Sequence, residues 1–254
     1  MRCVNISRIN IIFLVAILIY AVFIPQGCAM ANPSASGGGS GGSSGSGIAR
    51  NDAAEFKHEY EALNGQTAPD GEHVYKSIAI PADNPFIYIE GEGVINTLAP
   101  GGDASAGAGA GGGAGVIFMG FPECPWCRTL LPALISACEK SGYAGPIHYY
   151  NALADRDVLK LSDDGEIVTV EAGAQVYHDL VVILYNHLSP YKGLNDDTIK
   201  RIYLPTTVFY KDGVITSVHL TTIESQESGY DELTDAQFAE LENRLIEEFR
   251  ALTG

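Results

Sequence analysis

Read for hydrophobic periodicity, the chain separates into an apolar leader, a Ser/Gly stretch, and a folded part where short apolar runs alternate with runs of helical spacing. Ala53, Phe56, Tyr60 and Leu63 recur at steps of 3, 4 and 3 before Asn64-Gly65, with Asp52 and Glu55 as a capping pair, which predicts a short amphipathic helix with a stop. Phe86 to Ile89 reads as a strand, and Gly91 to Leu98 as a weak helix or turn. Val116 to Met119 is a continuous apolar run, as in a strand covered on both faces, and it leads directly into Phe121-Pro122-Glu123-Cys124-Pro125-Trp126-Cys127. A helix is expected to begin inside that motif. Its apolar positions run past Leu130, Leu131, Leu134 and Ile135 to Cys138, it stops near Gly142, and Pro132 is a site for a kink.

Ile147 to Tyr150 reads as another short strand, and Asp163-Asp164-Gly165 with the alternation of Ile167 and Thr169 predicts a small hairpin outside the core. Val176, Tyr177, Leu180, Val181, Ile183, Leu184 and Leu188 form a wide helical face expected to pack, largely buried, on a sheet. Pro205 introduces Thr206 to Tyr210, Asp212-Gly213 turns the chain and Val214 to Leu220 returns it, an antiparallel hairpin. At the end, Thr234 with Gln237 makes a capping box and Leu233 with Phe238 a hydrophobic staple. Phe238, Leu241, Leu245, Phe249 and Leu252 then define a closing amphipathic helix.

Two stretches cannot build a core. Gly101 to Gly115 holds eight Gly and five Ala in fifteen residues and is expected to be a mobile loop inserted ahead of the central strand. Its Gly107-x-Gly109-x-x-Gly112 spacing follows from composition, since a dinucleotide-binding turn must follow a strand and open a helix. At the other stretch, Arg2 and Arg8 precede an apolar run from Ile9 to Ile24 that Pro25 breaks, the layout of an export signal over residues 1–31. Cleavage after Ala29-Met30-Ala31 competes with cleavage before Cys28, which would then carry lipid; the Ser/Gly tether at 32–47 favours the anchored form. The globular domain is then 48–254, held at the outer face of the cytoplasmic membrane, or alternatively secreted or held by an uncleaved signal.

The formal charge of -16, with 15 Lys+Arg against 31 Asp+Glu, lacks the clustered basic footprint that nucleic acid requires. The six His lie on different elements, and a metal centre is not expected. Five Cys at 3, 28, 124, 127 and 138 are too few and too clustered for a disulfide framework. Zinc is the other chemistry of a Cys-x-x-Cys, but it needs four ligands and no second pair exists.

At a strand-to-helix junction, the free N–H groups of the first turn stabilise a thiolate on Cys124, and Cys127, one turn later, is spaced to attack a mixed disulfide formed there. Pro125 sits where a helix tolerates proline, and Trp126 can shield the pair or offer an apolar contact. Glu123 beside Cys124 would accept a proton, raise the thiol by like-charge repulsion, or simply be solvated. Cys138 fits the buried face of the same helix as an inert hydrophobe, with a second redox thiol as the alternative.

The strand, "FPECPWC", the long helix, strand, helix, the "LPTTVFYKDGVI" hairpin and the final helix resemble the thioredoxin family in order over residues 86 to 252. The exported, tethered form is similar to thioredoxin-like lipoproteins and bacteriocin transport accessory proteins of Gram-positive bacteria. The resemblance implies a thioredoxin fold, α/β with a central mixed sheet flanked by helices, plus an N-terminal helix, the Gly/Ala loop and an insertion after the third strand. It implies a cis Leu204–Pro205 peptide facing Cys124 and offering backbone groups to an extended substrate. One position departs: thioredoxins commonly carry a buried acid where Phe118 stands, which counts against efficient general reduction. The expectation is an extracytoplasmic thiol-disulfide oxidoreductase, monomeric and without cofactor, acting on cysteine-containing exported proteins or peptides; a membrane redox partner and the direction of exchange stay open. The alternative is a tethered accessory of peptide secretion, a binding module whose Cys pair is structural.

Overall fold

The computed structural model describes residues 51–99 and 113–253, within a compact unit spanning 48–254. The readings of the export segment, Cys28, the tether and residues 101–112 lie outside the described residues. Among the described residues no helix is long and apolar enough to cross a membrane.

The chain is α/β. One mixed sheet of five strands is flanked by helices. It runs in the order β1 (Phe86–Tyr88), β3 (Ile147–Asn151), β2 (Ala114–Gly120), β6 (Thr206–Lys211), β7 (Val214–Leu220). β1, β3 and β2 are mutually parallel, whereas β6 is antiparallel to β2 and β7 to β6. A separate hairpin of β4 (Val158–Leu161) and β5 (Ile167–Glu171) stands outside the main sheet, as the Asp163-Asp164-Gly165 turn implied. The central place of β2 accounts for its unbroken apolar run, because Val116, Ile117, Phe118 and Met119 are all fully buried between two covered faces. Burying each such side chain is worth about 1.5–3 kcal/mol.

The helices are α1 (Asp52–Glu61), α2 (Gly91–Leu98), α3 (Pro125–Ser141), α4 (Gln175–Leu184) and α5 (Asp235–Thr253). α3 packs against α5, and α2 against α4. Gly142 ends α3 in the left-handed region at φ 74°, and Pro132 lies inside the helix without ending it. The capping box of α5 is formed: the Thr234 N–H donates to Gln237 Oε1 at 2.9 Å, and the Gln237 N–H donates to Thr234 Oγ1 at 3.3 Å. Asp212 and Gly213 take φ of 53° and 73°, as a tight two-residue hairpin turn requires, and join β6 to β7.

Two expectations need correction. Asn51, not Asp52, caps α1, its side chain accepting from the Ala54 N–H at 3.1 Å; Asp52 instead accepts from the Tyr88 N–H at 3.0 Å and ties the helix to β1. The Gly/Ala tract does not run to Gly115 as a loop, because Ala114 and Gly115 already pair with Lys211 and Tyr210. Gly115 has a packing reason to lack a side chain, since a Cβ there would meet the Tyr210 ring and hydroxyl. The wide face that begins on α4 is largely buried as expected: Tyr177, Leu180, Leu184 and Leu188 share one core with the sheet strands and Val181 and Ile183 pack against it, while Val182, off that face, is 74% exposed.

Candidate functional site

The register of the sheet assembles the site. Gly120 is paired with Asn151, and Met119 with Thr206, so the segments after β2 and β3 and the segment before β6 converge at one end of the sheet. That is the end where parallel strands present ligand sites. Phe121 to Cys124 turns the chain, with the Cys124 N–H donating to the Phe121 carbonyl at 3.2 Å, and α3 starts at Pro125.

Cys124 is the N-cap of α3, and its Sγ accepts from the Cys127 N–H at 3.3 Å. As a thiol it donates to the Leu204 carbonyl at 3.4 Å, across a cis Leu204–Pro205 peptide. The predicted residues Cys124, Cys127, Leu204 and Pro205 thus meet, with Pro125 and Trp126 on the first turn above them. Glu123 is exposed. Cys124, Cys127 and Cys138 all carry free, buried thiols.

The two thiols differ in acidity. Burial opposes ionisation of Cys124, but the Cys127 thiol, the N–H groups of Cys127 and Trp126 and the charge of Arg156 outweigh it and hold this thiol below its ordinary value. Burial, reinforced by the hydrogen bond and charge of Cys124, pushes Cys127 well up. Of the two, Cys124 is thus the more readily ionised and Cys127 the one that holds its proton, the division of acidity that disulfide exchange uses. At the other end of α3, burial pushes Cys138 up to about 11, so it stays protonated at neutral pH and nucleophilically inert. Among the described residues no group of three or more His, Cys, Asp or Glu is set to hold a metal.

Several supporting residues are not legible in the sequence. A Cβ on Gly120 would lie 3.0 Å from Cys127 Sγ and 2.7 Å from the Phe118 ring, so the last residue of β2 must be small to admit the Cys127 sulfur. Gly229 lies against the Trp126 indole and backbone, its carbonyl accepting from Thr129 Oγ1 at 3.1 Å, which docks the loop after β7 on the start of α3. Arg128 is fully buried next to the pair and donates to the carbonyls of Tyr60 (2.8 Å), Lys76 (2.6 and 2.9 Å) and Pro122 (3.3 Å) and to Asn64 Oδ1 (2.5 Å). Its only signal is an arginine on an otherwise apolar helical face. Arg156, on the β3–β4 segment, favours ionisation of Cys124 by its charge, and nothing in its spacing announces it.

Comparison with protein-family models, with curated proteins and with solved structures finds no match for this chain. The class is therefore defined by its own geometry: an α/β domain with a mixed sheet and a Cys-x-x-Cys at a helix N-terminus whose first thiol is more acidic than usual.

Proposed function

We propose that this chain is an extracytoplasmic thiol-disulfide oxidoreductase with a thioredoxin fold, acting on disulfides of exported proteins or peptides. The observation that carries the reading is Cys124 at the N-cap of α3, more acidic than an ordinary thiol and 3.4 Å from the Leu204 carbonyl, with the protonated Cys127 one turn behind it. In the reducing direction the Cys124 thiolate attacks one sulfur of the substrate disulfide; that S–S bond breaks and the departing sulfur takes a proton. Cys127 then loses its proton and attacks Cys124. The mixed disulfide breaks, the substrate leaves with two thiols, and the protein keeps the two-electron oxidised Cys124–Cys127 bond. Run backwards, the same steps oxidise a dithiol. The reduction potential decides between them, with about 30 mV corresponding to 1.4 kcal/mol.

Turnover of a quenched fluorescent peptide disulfide in the presence of excess dithiol tests this. Cys124→Ser is expected to abolish exchange, and Cys127→Ser to accumulate mixed disulfide detectable by mass. Exchange no faster than free thiol of matched acidity would overturn the reading.

A second reading, a tethered accessory of peptide secretion with a structural Cys pair, draws support from the burial of both sulfurs, Cys124 being 4% exposed and Cys127 fully covered. It requires partner binding to survive when both cysteines become serine.

A further inference from the structure

We propose that residues 228–232, a strap between β7 and α5, form a lid over Cys124 that must lift before the sulfur meets an external reagent, with the stacked rings of Tyr230 and His73 as its buckle. The inference concerns access to the sulfur, so it goes beyond the exchange reaction above and does not depend on it.

Cys124 is only 4% exposed, whereas a reacting thiolate needs an open approach along the line of the bond it breaks. One side of the sulfur is fixed. The Leu204 carbonyl at 3.4 Å leads into β6, whose Thr206 to Tyr210 are buried in the sheet between β2 and β7. What rests on the start of α3 is a loop. β7 ends at Leu220, Thr221 turns the chain at φ 61°, and its N–H donates to the Pro205 carbonyl at 2.9 Å, so the loop leaves the sheet beside the site. Farther along, a Cβ on Gly229 would meet the Trp126 backbone N at 2.9 Å and the indole Cγ and Cδ1 at 3.0 Å. The backbone of the strap therefore lies on the stretch between the two cysteines, closer than any side chain would allow.

Polar contacts and one ring stack hold the strap down. The Gly229 carbonyl accepts from Thr129 Oγ1 at 3.1 Å and the Asp231 carbonyl from Lys76 Nζ at 2.8 Å, with a Glu232 carboxylate oxygen 3.4 Å from the same ammonium. The Tyr230 ring stacks on His73, centroids 4.1 Å apart and planes 12° from parallel, and His73 Nδ1 lies 2.8 Å from Asp70 Oδ2. The firm anchors stand outside the strap: Ile223 and Gln226 are buried before it, and the Thr234 capping box opens α5 after it. Among the described residues, none of 228–232 sends a side chain into the hydrophobic core, and Asp231 and Glu232 are exposed. A segment with few buried apolar contacts between fixed ends is the kind that opens locally at low cost. The stack is made by side chains alone, so it can be removed without touching the carbonyls that Thr129 and Lys76 hold.

Alkylation reads access directly. The reduced protein is treated with iodoacetamide at a pH above the titration of Cys124, where its thiolate is complete, and labelling of each cysteine is followed by mass. In the parent, Cys124 is expected to label at least about tenfold more slowly than a free thiol of the same acidity, because only the lifted state reacts. Tyr230→Ala and His73→Ala should each raise the rate about fivefold, the worth of one aromatic stack, and Tyr230→Phe should leave it unchanged. Gly229→Ala should raise it too, because its methyl group would push the strap off Trp126. Cys138, buried near the far end of α3, reports unfolding and is expected to stay unlabelled throughout. A variant that labels Cys138 in step with Cys124 has unfolded, and the milder Tyr230→Leu or His73→Gln is then read in its place. A parent that labels at the free-thiol rate overturns the lid, and so does a folded protein whose rate is unmoved by loss of either ring. Failure to turn over peptide disulfides, alongside the expected labelling pattern, would sink the oxidoreductase reading and leave the lid standing.

Discussion

Two identical side chains three residues apart end up with opposed acidities, and the difference comes from the backbone. Cys124 receives the free N–H groups that open α3, while Cys127 lies inside the helix, fully buried against Gly120 and Phe118. Because only the thiolate reacts, a lowered value means Cys124 stays reactive as pH falls below 9.0, the ordinary value, and loses reactivity only below its own depressed value. The Cys127 thiol contributes to that depression, so Cys127→Ala should move the pH profile of Cys124 alkylation to higher pH. An unshifted profile would show that the N–H groups of the helix terminus and the charge of Arg156 set the acidity without it. The residue types of this site were readable because Cys-x-x-Cys after an apolar run has few other meanings. Gly120, Arg128 and Arg156 were not readable, since their roles depend on which distant segments meet them.

At the scale of elements, what was readable follows from local chemistry. The Thr234/Gln237 box, the Asp212-Gly213 turn and the Gly142 stop are satisfied within a few residues of themselves, and each appears where the sequence put it. The misreadings at Asp52 and at Gly115 share one cause: tertiary partners decide them, namely β1 for Asp52 and β6 for Gly115. Thr234→Ala should accordingly cost about 1 kcal/mol in urea unfolding, the worth of one N-cap, with the slope of the transition unchanged. A loss several times larger would mean that Thr234 also holds the loop reached by Gln237, whose amide donates to Ser225.

For the molecule as a whole, net charge acts at long range. A chain of net charge -16 repels acidic peptides and attracts basic ones from a distance. Screening shortens from roughly 30 Å at 0.01 M salt to roughly 8 Å at 0.15 M, and partly buried groups are screened less than exposed ones. Exchange with a Glu-flanked peptide disulfide should therefore speed up over that range, whereas a Lys-flanked one should slow down. Parallel slowing of both, read from initial rates, would mean that the surface field does not govern encounter.

One consequence of Arg128 concerns how the chain holds together after damage. The exposed run from Pro69 to Val74 is open to a protease, and cutting it would separate the Tyr60 and Asn64 side from the Lys76 side. Both sides grip the same guanidinium, so a cut there leaves a clasp rather than a break. The N-terminal piece stays seated on the first turn of α3 as a noncovalent fragment, and the reactive sulfur pair keeps its support. The same grip means the segment ahead of β1 cannot be trimmed to give a minimal domain, because its removal would strip a buried cation of most of its acceptors.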